Sequence, residues 1–562
     1  MKSRYALVFL TALLILAPVL SASAASADAS VYAEMLEEAY PADGPGAAVL
    51  LVRDGEVLFR GARGMAELEL GVALAPEQVF RLGSITKQFT ATAIMMLAEE
   101  GKLSVDDEIT KFLPDYPTHG HSITVEHLLH HTSGIFSYTN IPGYMLSGKL
   151  RADLTTEELV DVFDELEMEF TPGDRWNYNN SGYVLLGAII EEVSGQSYAD
   201  FVEERIFEPL GMDDSHYGGS QLIPRRVEGY AGGPGAYENA PFLSMTQPHA
   251  AGSLLSTVDD LWRWHQALHG GKLVSEETLE RMTTRAKLND GEEVDYGYGL
   301  QILTVRGRHT IAHGGGIFGF STQMMWLPES KVFVAVLSNS PQNPISPTQL
   351  ARQLAAHAVG DPFPPQVKIE LSPEKLSDYP GVYQIDDETS RTVTLEDGQL
   401  FTQRTGGARL PIHAFADDAF FYDGSQTYLE FVRDASGTVT AMNMYPNGEP
   451  DAELATRVEG STDGAAAADE REVADVSPEL YDLWAGRYQI APNFILELRR
   501  EGDRLISQAT GQGPVELFPS SIHRYFLRVV PAELEIVPGP DGRAEAVVLY
   551  QGGQEIRAAR VE

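Results

Sequence analysis

The stretch Phe80-Arg-Leu-Gly-Ser-Ile-Thr-Lys-Gln-Phe-Thr-Ala-Thr-Ala-Ile-Met-Met-Leu-Ala98 decides which fold and which chemistry this chain supports. Its second half is apolar almost all round, which predicts a buried helix over Ser84–Glu100. Ser84 and Lys87 are three residues apart, so they share one face of the first turn. A lysine amine buried there loses hydration of its charged form, so its pKa falls and it can take the proton of the serine hydroxyl. The stretch therefore predicts an activated serine nucleophile.

The spacing of serine and lysine is weak evidence by itself. The chain repeats it at Ser372-Pro-Glu-Lys375, in a Pro-rich, charged stretch with no apolar helix behind it. A short pattern of this kind becomes informative only through its context.

Tyr178-Asn-Asn180 is the predicted second proton carrier. It directly precedes an apolar segment, Ser181–Val193, that is expected to form a helix ending at Gly195. A phenol beside a lysine ammonium has its phenolate form favoured, so we expect Tyr178 to carry the proton of Ser84 to the leaving group.

His313-Gly-Gly-Gly316 lies next to two predicted strands, Gln323–Leu327 and Val332–Leu337. Glycines at this place let a substrate lie along the strand edge, and the N–H of Gly316 can face the reacting carbonyl oxygen. Gly315 is a further candidate for substrate binding. His313 is expected to donate a hydrogen bond or to carry charge near neutral pH.

Together these motifs resemble the penicillin-recognising serine hydrolases, which comprise class C β-lactamases, D-Ala-D-Ala carboxypeptidases, D-aminopeptidases and related esterases. The resemblance spans roughly Val31–Val359. It rests on six segments in matching order: Phe80-Arg-Leu-Gly-Ser-Ile-Thr-Lys87, Gly101-Lys-Leu-Ser-Val-Asp-Asp107, Leu128-Leu-His-His-Thr-Ser-Gly134, Tyr178-Asn-Asn-Ser-Gly-Tyr183, Tyr296-Gly-Tyr-Gly-Leu300 and His313-Gly-Gly-Gly316.

The resemblance implies a role for each motif residue. Ser84 is acylated, Lys87 and Tyr178 exchange its proton, and Asn180 helps to hold the substrate. The N–H groups of Ser84 and Gly316 form the oxyanion hole. Family members that bind a β-lactam carboxylate usually carry Lys-Thr-Gly at the place of His313-Gly-Gly here, and this chain contains no such tripeptide. His-x-Gly at that place looks more like the D-aminopeptidase and peptidase or esterase branch.

Composition breaks and a repeat divide the chain. We expect a signal peptide at 1–27, a β-lactamase-like catalytic domain at 28–362, a β-barrel at 370–456, a linker at 457–476 and a second β-barrel at 477–562. The two C-terminal segments repeat each other at an offset of 105 residues, as in Tyr379-Pro-Gly-Val-Tyr-Gln-Ile385 and Trp484-Ala-Gly-Arg-Tyr-Gln-Ile490. They resemble the lipocalin-like barrels of D-aminopeptidase-type enzymes.

The fold class predicted for the first part is α/β, with an antiparallel sheet flanked by helices plus an all-helical subdomain. The two small barrels behind it are predicted to be all-β and antiparallel. Residues Ala47–Gly61 are expected to form a hairpin that turns at Asp54-Gly55. Further helices are predicted over Thr155–Glu165 and Val258–Leu268. The terminal strands of the domain are expected to meet side by side in one sheet.

Charge and cysteine content limit the partners. The net charge of −40 disfavours nucleic acid, and the absence of cysteine excludes disulfides and thiolate chemistry. With the signal removed no segment is expected to cross a membrane, so we expect a periplasmic or secreted protein. The expected partner is a small-molecule or short-peptide substrate, without cofactor or metal, and the oligomeric state stays open.

Three other functions remain possible from the sequence. A class C type β-lactamase and a catalytically inactive, penicillin-binding-like sensor would both keep this fold. A zinc hydrolase would draw on the histidines of one segment, in which His127 and His131 have ligand spacing on a helix. The glutamate precedes the first of these histidines instead of following it, unlike the H-E-x-x-H pattern. We therefore expect a serine hydrolase that acts on small esters or on amides and peptides containing D-residues.

Overall fold

A six-stranded antiparallel sheet forms the centre of the first domain, and its strands in spatial order are Gln301–Val305, Arg308–Ile317, Phe320–Leu327, Val332–Ser338, Ala47–Arg53 and Glu56–Arg63. The computed structural model describes residues 30–458, 473–474, 476–491, 494–509, 515–527, 532–539, 542–551 and 554–561. The strands of this domain are β1 (Ala47–Arg53), β2 (Glu56–Arg63), β3 (Met65–Glu67), β4 (Val72–Ala73), β5 (Phe80–Arg81), β6 (His216–Tyr217), β7 (Tyr230–Ala231), β8 (Glu238–Asn239), β9 (Leu254–Ser256), β10 (Ala286–Lys287), β11 (Glu293–Val294), β12 (Gln301–Val305), β13 (Arg308–Ile317), β14 (Phe320–Leu327) and β15 (Val332–Ser338).

The helices of this domain pack on the two faces of the sheet and against one another. They are α1 (residues 30–39), α2 (Thr86–Glu99), α3 (Val125–Leu129), α4 (Thr156–Val160), α5 (Asn180–Ser194), α6 (Tyr198–Val202), α7 (Glu208–Leu210), α8 (His249–Gly252), α9 (Val258–His269), α10 (Glu276–Met282) and α11 (Pro347–Ala358). None of the described helices is long and apolar enough to span a bilayer.

The alternation of side chains along β1 explains the two layers. Val49 and Leu51 pack into the core shared with α1 and α11, whereas Leu50 and Val52 pack into the core shared with α2, α5 and α9. β1 pairs with β15 from Ala47 opposite Ser338 onward, so the two ends of the domain do meet in one sheet. The predicted hairpin at Asp54-Gly55 is confirmed, and the two strands predicted over Gln323–Leu327 and Val332–Leu337 pair with each other.

The predicted helix over Thr155–Glu165 is shorter than expected. Regular α-helix ends at Val160, after which Val162 and Phe163 donate to the carbonyls of Leu159 and Val160 in a tighter turn. The following segment, Asp161–Glu165, carries three acids where the helix dipole favours bases. These acidic residues therefore account for the early end of the helix.

Two closed eight-stranded antiparallel barrels follow, as predicted. The first contains α12 (Pro373–Leu376) and the strands β16 (Gly381–Gln384), β17 (Ser390–Glu396), β18 (Gln399–Arg404), β19 (Arg409–Ala416), β20 (Ala419–Phe421), β21 (Tyr428–Arg433), β22 (Val439–Tyr445) and β23 (Glu453–Val458). The second contains α13 (Tyr481–Trp484) and the strands β24 (Gly486–Ala491), β25 (Phe494–Glu501), β26 (Arg504–Ala509), β27 (Val515–Pro519), β28 (Arg524–Leu527), β29 (Ala532–Pro538), β30 (Ala544–Gln551) and β31 (Gln554–Arg560).

One arginine closes each barrel in the same way. Arg457 donates to the carbonyls of Asp378, Pro380 and Val439 in the first barrel. Arg560 donates to the carbonyls of Leu483, Ala485 and Ala544 in the second barrel. The three acceptors of one barrel match those of the other at the predicted offset, so the repeat in the sequence is also a repeat of contacts.

The first barrel docks on the catalytic domain through a small polar interface. Arg352 of α11 lies 2.5 Å from Glu449, and both side chains are largely buried. Glu449 also accepts from the N–H of Gly307, and Arg306 donates to the carbonyl of Gly448. The predicted signal peptide and most of the predicted linker lie outside the described residues.

Candidate active site

Ser84 lies in a single 3-10 turn, Gly83–Ile85, that runs directly into α2. Gly83 has a φ of +57°, a left-handed conformation that favours glycine. A Cβ at this position would come within 3.0–3.1 Å of the backbone of Gly316. Glycine therefore lets the turn that carries Ser84 press against β13, so two motifs that are far apart in the sequence meet here.

The amine of Lys87 is fully buried beside this turn. Its Nζ atom lies 3.1 Å from Oγ of Ser84, 2.8 Å from Oδ1 of Asn180 and 2.9 Å from the carbonyl oxygen of Ala251. No carboxylate of the described residues lies within 4.0 Å of it, and burial lowers the pKa of Lys87 well below its usual value. The predicted direction is confirmed, and a neutral amine with a free lone pair can act as a base.

The second serine–lysine pair has a different environment. Ser372 caps α12 at the surface of the first barrel, and Lys375 forms an ion pair with Asp417 at 3.3 Å. Lys375 therefore lies in an ion pair at the surface of the barrel, whereas the amine of Lys87 is buried and has no carboxylate partner among the described residues.

Tyr178 lies beside Ser84 and Lys87, as predicted, but in a different protonation state. Its ring centroid is 4.8 Å from Nζ of Lys87. Burial raises the pKa of Tyr178 above its usual value, and a hydrogen-bond interaction with Ser84 offsets this rise only in part. The expectation of a favoured phenolate is wrong, because burial of the ring disfavours its charged form. The phenol keeps its proton and can give it to a leaving group.

Asn180 is the first residue of α5, and its amide joins two parts of the site. Its oxygen accepts from Lys87, and its nitrogen donates to the hydroxyl of Thr139 at 3.1 Å. The hydroxyl of Ser137 in turn accepts from the backbone N–H of Asn180 at 3.2 Å. The amide therefore positions the amine, a contact that the sequence did not predict.

His313 lies in the site without charge. Its Nε2 atom is 2.8 Å from the hydroxyl of Tyr296, and its Nδ1 atom is 2.6 Å from the carbonyl oxygen of Gly314. Burial lowers the pKa of His313 to about 3, and a positive charge on the neighbouring Lys87 would lower it further. The expectation that His313 carries charge near neutral pH is wrong, because the ring is desolvated and no carboxylate pairs with it among the described residues.

Gly315 and Gly316, which follow His313 on β13, differ in their surroundings. A Cβ on Gly315 would lie 1.9 Å from the carbonyl oxygen of Leu82, so Gly315 allows the strand to pack closely. A Cβ on Gly316 would meet nothing within 4 Å. Strand β12 pairs with β13 only up to Ala312, so the described residues leave this edge open from His313 onward. The open edge has room for a substrate backbone.

The histidines proposed as zinc ligands have other contacts. Nδ1 of His127 accepts from the backbone N–H of Thr124 in a capping box, and Nδ1 of His131 accepts from that of Asn179. Helix α3 ends at Leu129, so the two rings do not share a helix face. The described part of the chain contains no cluster of three or more potential metal-binding side chains of the His, Cys, Asp or Glu type.

Sequence reasoning assigned no role to Tyr296 or Thr139 and considered His131 only as a zinc ligand, yet all three contact the predicted site residues. Tyr296 and His131 lie within motif segments quoted above, and their place in these segments could have indicated that they belong to the site. Thr139 had no signal, because its contact with Asn180 depends on the fold of the loop after α3.

Comparisons with known proteins agree with this geometry. A family model described as Beta-lactamase matches residues 33–358, and one described as a domain of unknown function, DUF3471, matches residues 365–459. Penicillin-binding protein 4* of Bacillus subtilis (strain 168) is 31% identical over 407 residues, which cover 68% of this chain and 89% of the relative. The D-aminopeptidase of Gluconobacter oxydans (strain 621H) is 28% identical over 373 residues, which cover 65% and 67% of the two chains.

Solved structures show the same similarity. The octameric penicillin-binding protein homologue from Pyrococcus abyssi superposes with a TM-score of 0.54 at 28% identity, and covers 78% of this chain and 100% of its own. A D-stereospecific amidohydrolase from Streptomyces sp. superposes with a TM-score of 0.50 at 29% identity, and covers 59% and 98%.

Proposed function

The chain belongs to the beta-lactamase family and is a serine hydrolase of that family, and from this we propose that Ser84 forms an acyl-enzyme with small esters or with amides of D-residues. The observation that carries the proposal is the buried amine of Lys87, 3.1 Å from Oγ of Ser84 and without a carboxylate partner among the described residues.

Acylation begins with proton transfer between these two residues. The neutral amine of Lys87 takes the proton of the Ser84 hydroxyl while the oxygen attacks the substrate carbonyl carbon. The carbonyl oxygen becomes an oxyanion, which the N–H groups of Ser84 and Gly316 stabilise. The phenol of Tyr178 gives its proton to the leaving amine or alcohol, and the ammonium of Lys87 restores it.

Deacylation reverses the proton path with water as the nucleophile. A water molecule attacks the carbonyl carbon of the acyl-enzyme and gives a proton to the amine of Lys87. Oγ of Ser84 then leaves and takes a proton back from these side chains. Throughout, the amide of Asn180 holds the amine of Lys87 beside the reacting oxygen. The cycle needs no group beyond these side chains and water.

The charge of the site supports a substrate class. His313 stands where family members that bind a β-lactam carboxylate usually have a lysine. It is neutral, so it offers no cation to a carboxylate next to the scissile bond. Substrates without a carboxylate next to the scissile bond, such as short esters and amides of D-amino acids, fit such a site better than β-lactams or carboxypeptidase substrates do. The names of two relatives, a D-aminopeptidase and a D-stereospecific amidohydrolase, support the same class. We further propose that the protein works in the periplasm or outside the cell.

The test compares Ser84→Ala with Ser372→Ala, the serine of the surface pair, on p-nitrophenyl esters, D-amino acid amides and nitrocefin. We expect Ser84→Ala to lower kcat by at least about 10³-fold, and Ser372→Ala to leave it unchanged. Mass spectrometry of the wild-type enzyme, quenched during turnover, should place the acyl group on Ser84. Equal rates for wild type and Ser84→Ala would overturn the proposal, and fast nitrocefin hydrolysis would overturn the substrate class.

A further inference from the structure

His131 has no part in the reaction described above, yet it is one of the most confined side chains at the site. It is 1% exposed, and its ring lies 4.4 Å from that of Tyr178 and 4.7 Å from that of Tyr296, measured between centroids. Its backbone φ is 63°, a conformation that non-glycine residues adopt only where the surroundings enforce it.

The contacts of His131 hold the chain on both sides of Tyr178. The carbonyl oxygen of His131 accepts from the N–H of Asn177 at 3.0 Å. Its Nδ1 atom accepts from the N–H of Asn179 at 3.1 Å. One residue therefore fixes the residue before the tyrosine and the residue after it, while its ring packs on the face of the phenol.

The second contact defines the state of the imidazole. Because Nδ1 accepts a hydrogen bond, the proton of the neutral ring is on Nε2, which is buried without a partner in the described structure. Protonation would place a hydrogen on Nδ1 against the N–H of Asn179. Burial lowers the pKa of His131 well below its usual value, and Lys87 on α2 and His313 on β13 face the ring, so a charge on either would lower this pKa further.

We propose that His131 is a positioning residue, which acts through its Nδ1 acceptor to hold the Tyr178 phenol against Ser84 and Lys87. The inference rests on the proposed function, because the phenol needs this placement only if it exchanges a proton with these two residues. An alternative is that His131 merely fills the core beneath the tyrosine. The two roles differ in what an isosteric acceptor can restore.

Two substitutions at the same position separate these roles. His131→Asn keeps an acceptor close to the place of Nδ1, and asparagine tolerates the left-handed backbone. His131→Leu keeps apolar volume but removes the acceptor. We expect His131→Leu to lower kcat by about 10²-fold with little change in KM, and His131→Asn to remain within about tenfold of wild type.

The pH profile gives a readout that a core-filling role would not move. The ring of Tyr178 covers the amine of Lys87, so a displaced ring admits water and raises the pKa of that amine. The acid limb of kcat/KM should therefore shift to higher pH in His131→Leu and stay at the wild-type position in His131→Asn. The control His265→Leu removes another buried, aromatic-packed histidine far from Tyr178, and should lower the melting temperature without altering kcat or the profile.

The outcomes are distinct. An unmoved acid limb, or equal kcat losses in His131→Leu and His131→Asn, would overturn the positioning role. If His131→Leu does not fold, His131→Gln replaces it, since its amide oxygen extends one methylene too far to take the place of Nδ1. Failure of the proposed function would appear elsewhere, as retained activity in Ser84→Ala.

Discussion

Nζ of Lys87 lies 2.8 Å from Oδ1 of Asn180 and 3.1 Å from Oγ of Ser84, so a neutral amide holds the amine beside the hydroxyl. The choice of an amide has a physical consequence. It accepts a hydrogen bond from the amine without adding negative charge, and the buried lysine keeps its low pKa.

The first prediction concerns this amide. In Asn180→Asp, a carboxylate would face the amine and favour its charged form, so the pKa of Lys87 rises. The base is then protonated at neutral pH, and the acid limb of kcat/KM shifts to higher pH. We expect kcat/KM at pH 7 to fall at least about tenfold and to recover in part as the pH rises.

Asn180→Leu is the control for this prediction, because it removes the acceptor without adding charge. Its activity should fall at all pH values, with no upward shift of the acid limb. An acid limb that stays in place in Asn180→Asp would show that the amine does not set it.

The second prediction compares two neighbouring glycines. Gly315→Ala places a methyl group 1.9 Å from the carbonyl oxygen of Leu82, so the strand or the turn must move. We expect a loss of about 1–3 kcal/mol in the free energy of unfolding. Gly316→Ala places its methyl group in open space beside the cleft, so it should keep its stability and raise KM. Denaturant unfolding and steady-state kinetics on both variants check this, and equal losses of stability would contradict it.

The third prediction concerns the entrance of the site. Trp176 is 39% exposed, and its ring lies 6.5 Å from that of Tyr178 and 6.1 Å from that of Tyr296. An exposed aromatic ring at this place can pack against an apolar acyl group. Trp176→Ala should therefore raise KM for aromatic acyl substrates about tenfold, with a smaller effect on acetyl esters.

Trp262→Ala serves as the matched control. Trp262 of α9 packs against His265 and Phe333 and has no ring contact with Tyr178 or Tyr296 among the described residues, so its loss should reduce stability and leave KM unchanged. Identical KM values for aromatic and acetyl substrates in Trp176→Ala would argue against an aromatic subsite.

The fourth prediction concerns the docking of the first barrel. The side chains of Arg352 and Glu449 are only 12% and 17% exposed, so removing one leaves a poorly solvated charge. Glu449→Ala should lower the free energy of unfolding by roughly 3 kcal/mol and speed proteolysis between the domains. Glu545→Ala breaks the half-exposed pair with Arg557, and should cost less than about 1 kcal/mol. Equal effects would show that the buried pair does not stabilise the interface.

Local pattern was sufficient to predict the elements, whereas the meeting of the distant motifs was expected from the resemblance to a known family. The hairpin at Asp54-Gly55, the apolar helix behind Ser84 and the paired barrels all follow from short-range periodicity and from an internal repeat. The shortened helix after Thr155 shows the limit of this reasoning, because a few acidic residues at the helix end changed its geometry.

Protonation states, by contrast, depended on burial and on partners far away in the chain. Tyr178 and His313 are both neutral because the fold removes water from their rings, and no carboxylate of the described residues pairs with His313; no motif records either fact. The hydrogen bonds of His131 with the residues before and after Tyr178 join segments nearly fifty residues apart. Residue type and spacing specify which groups can react, whereas the free energy of each charged form depends on the solvent and dipoles that packing leaves around it.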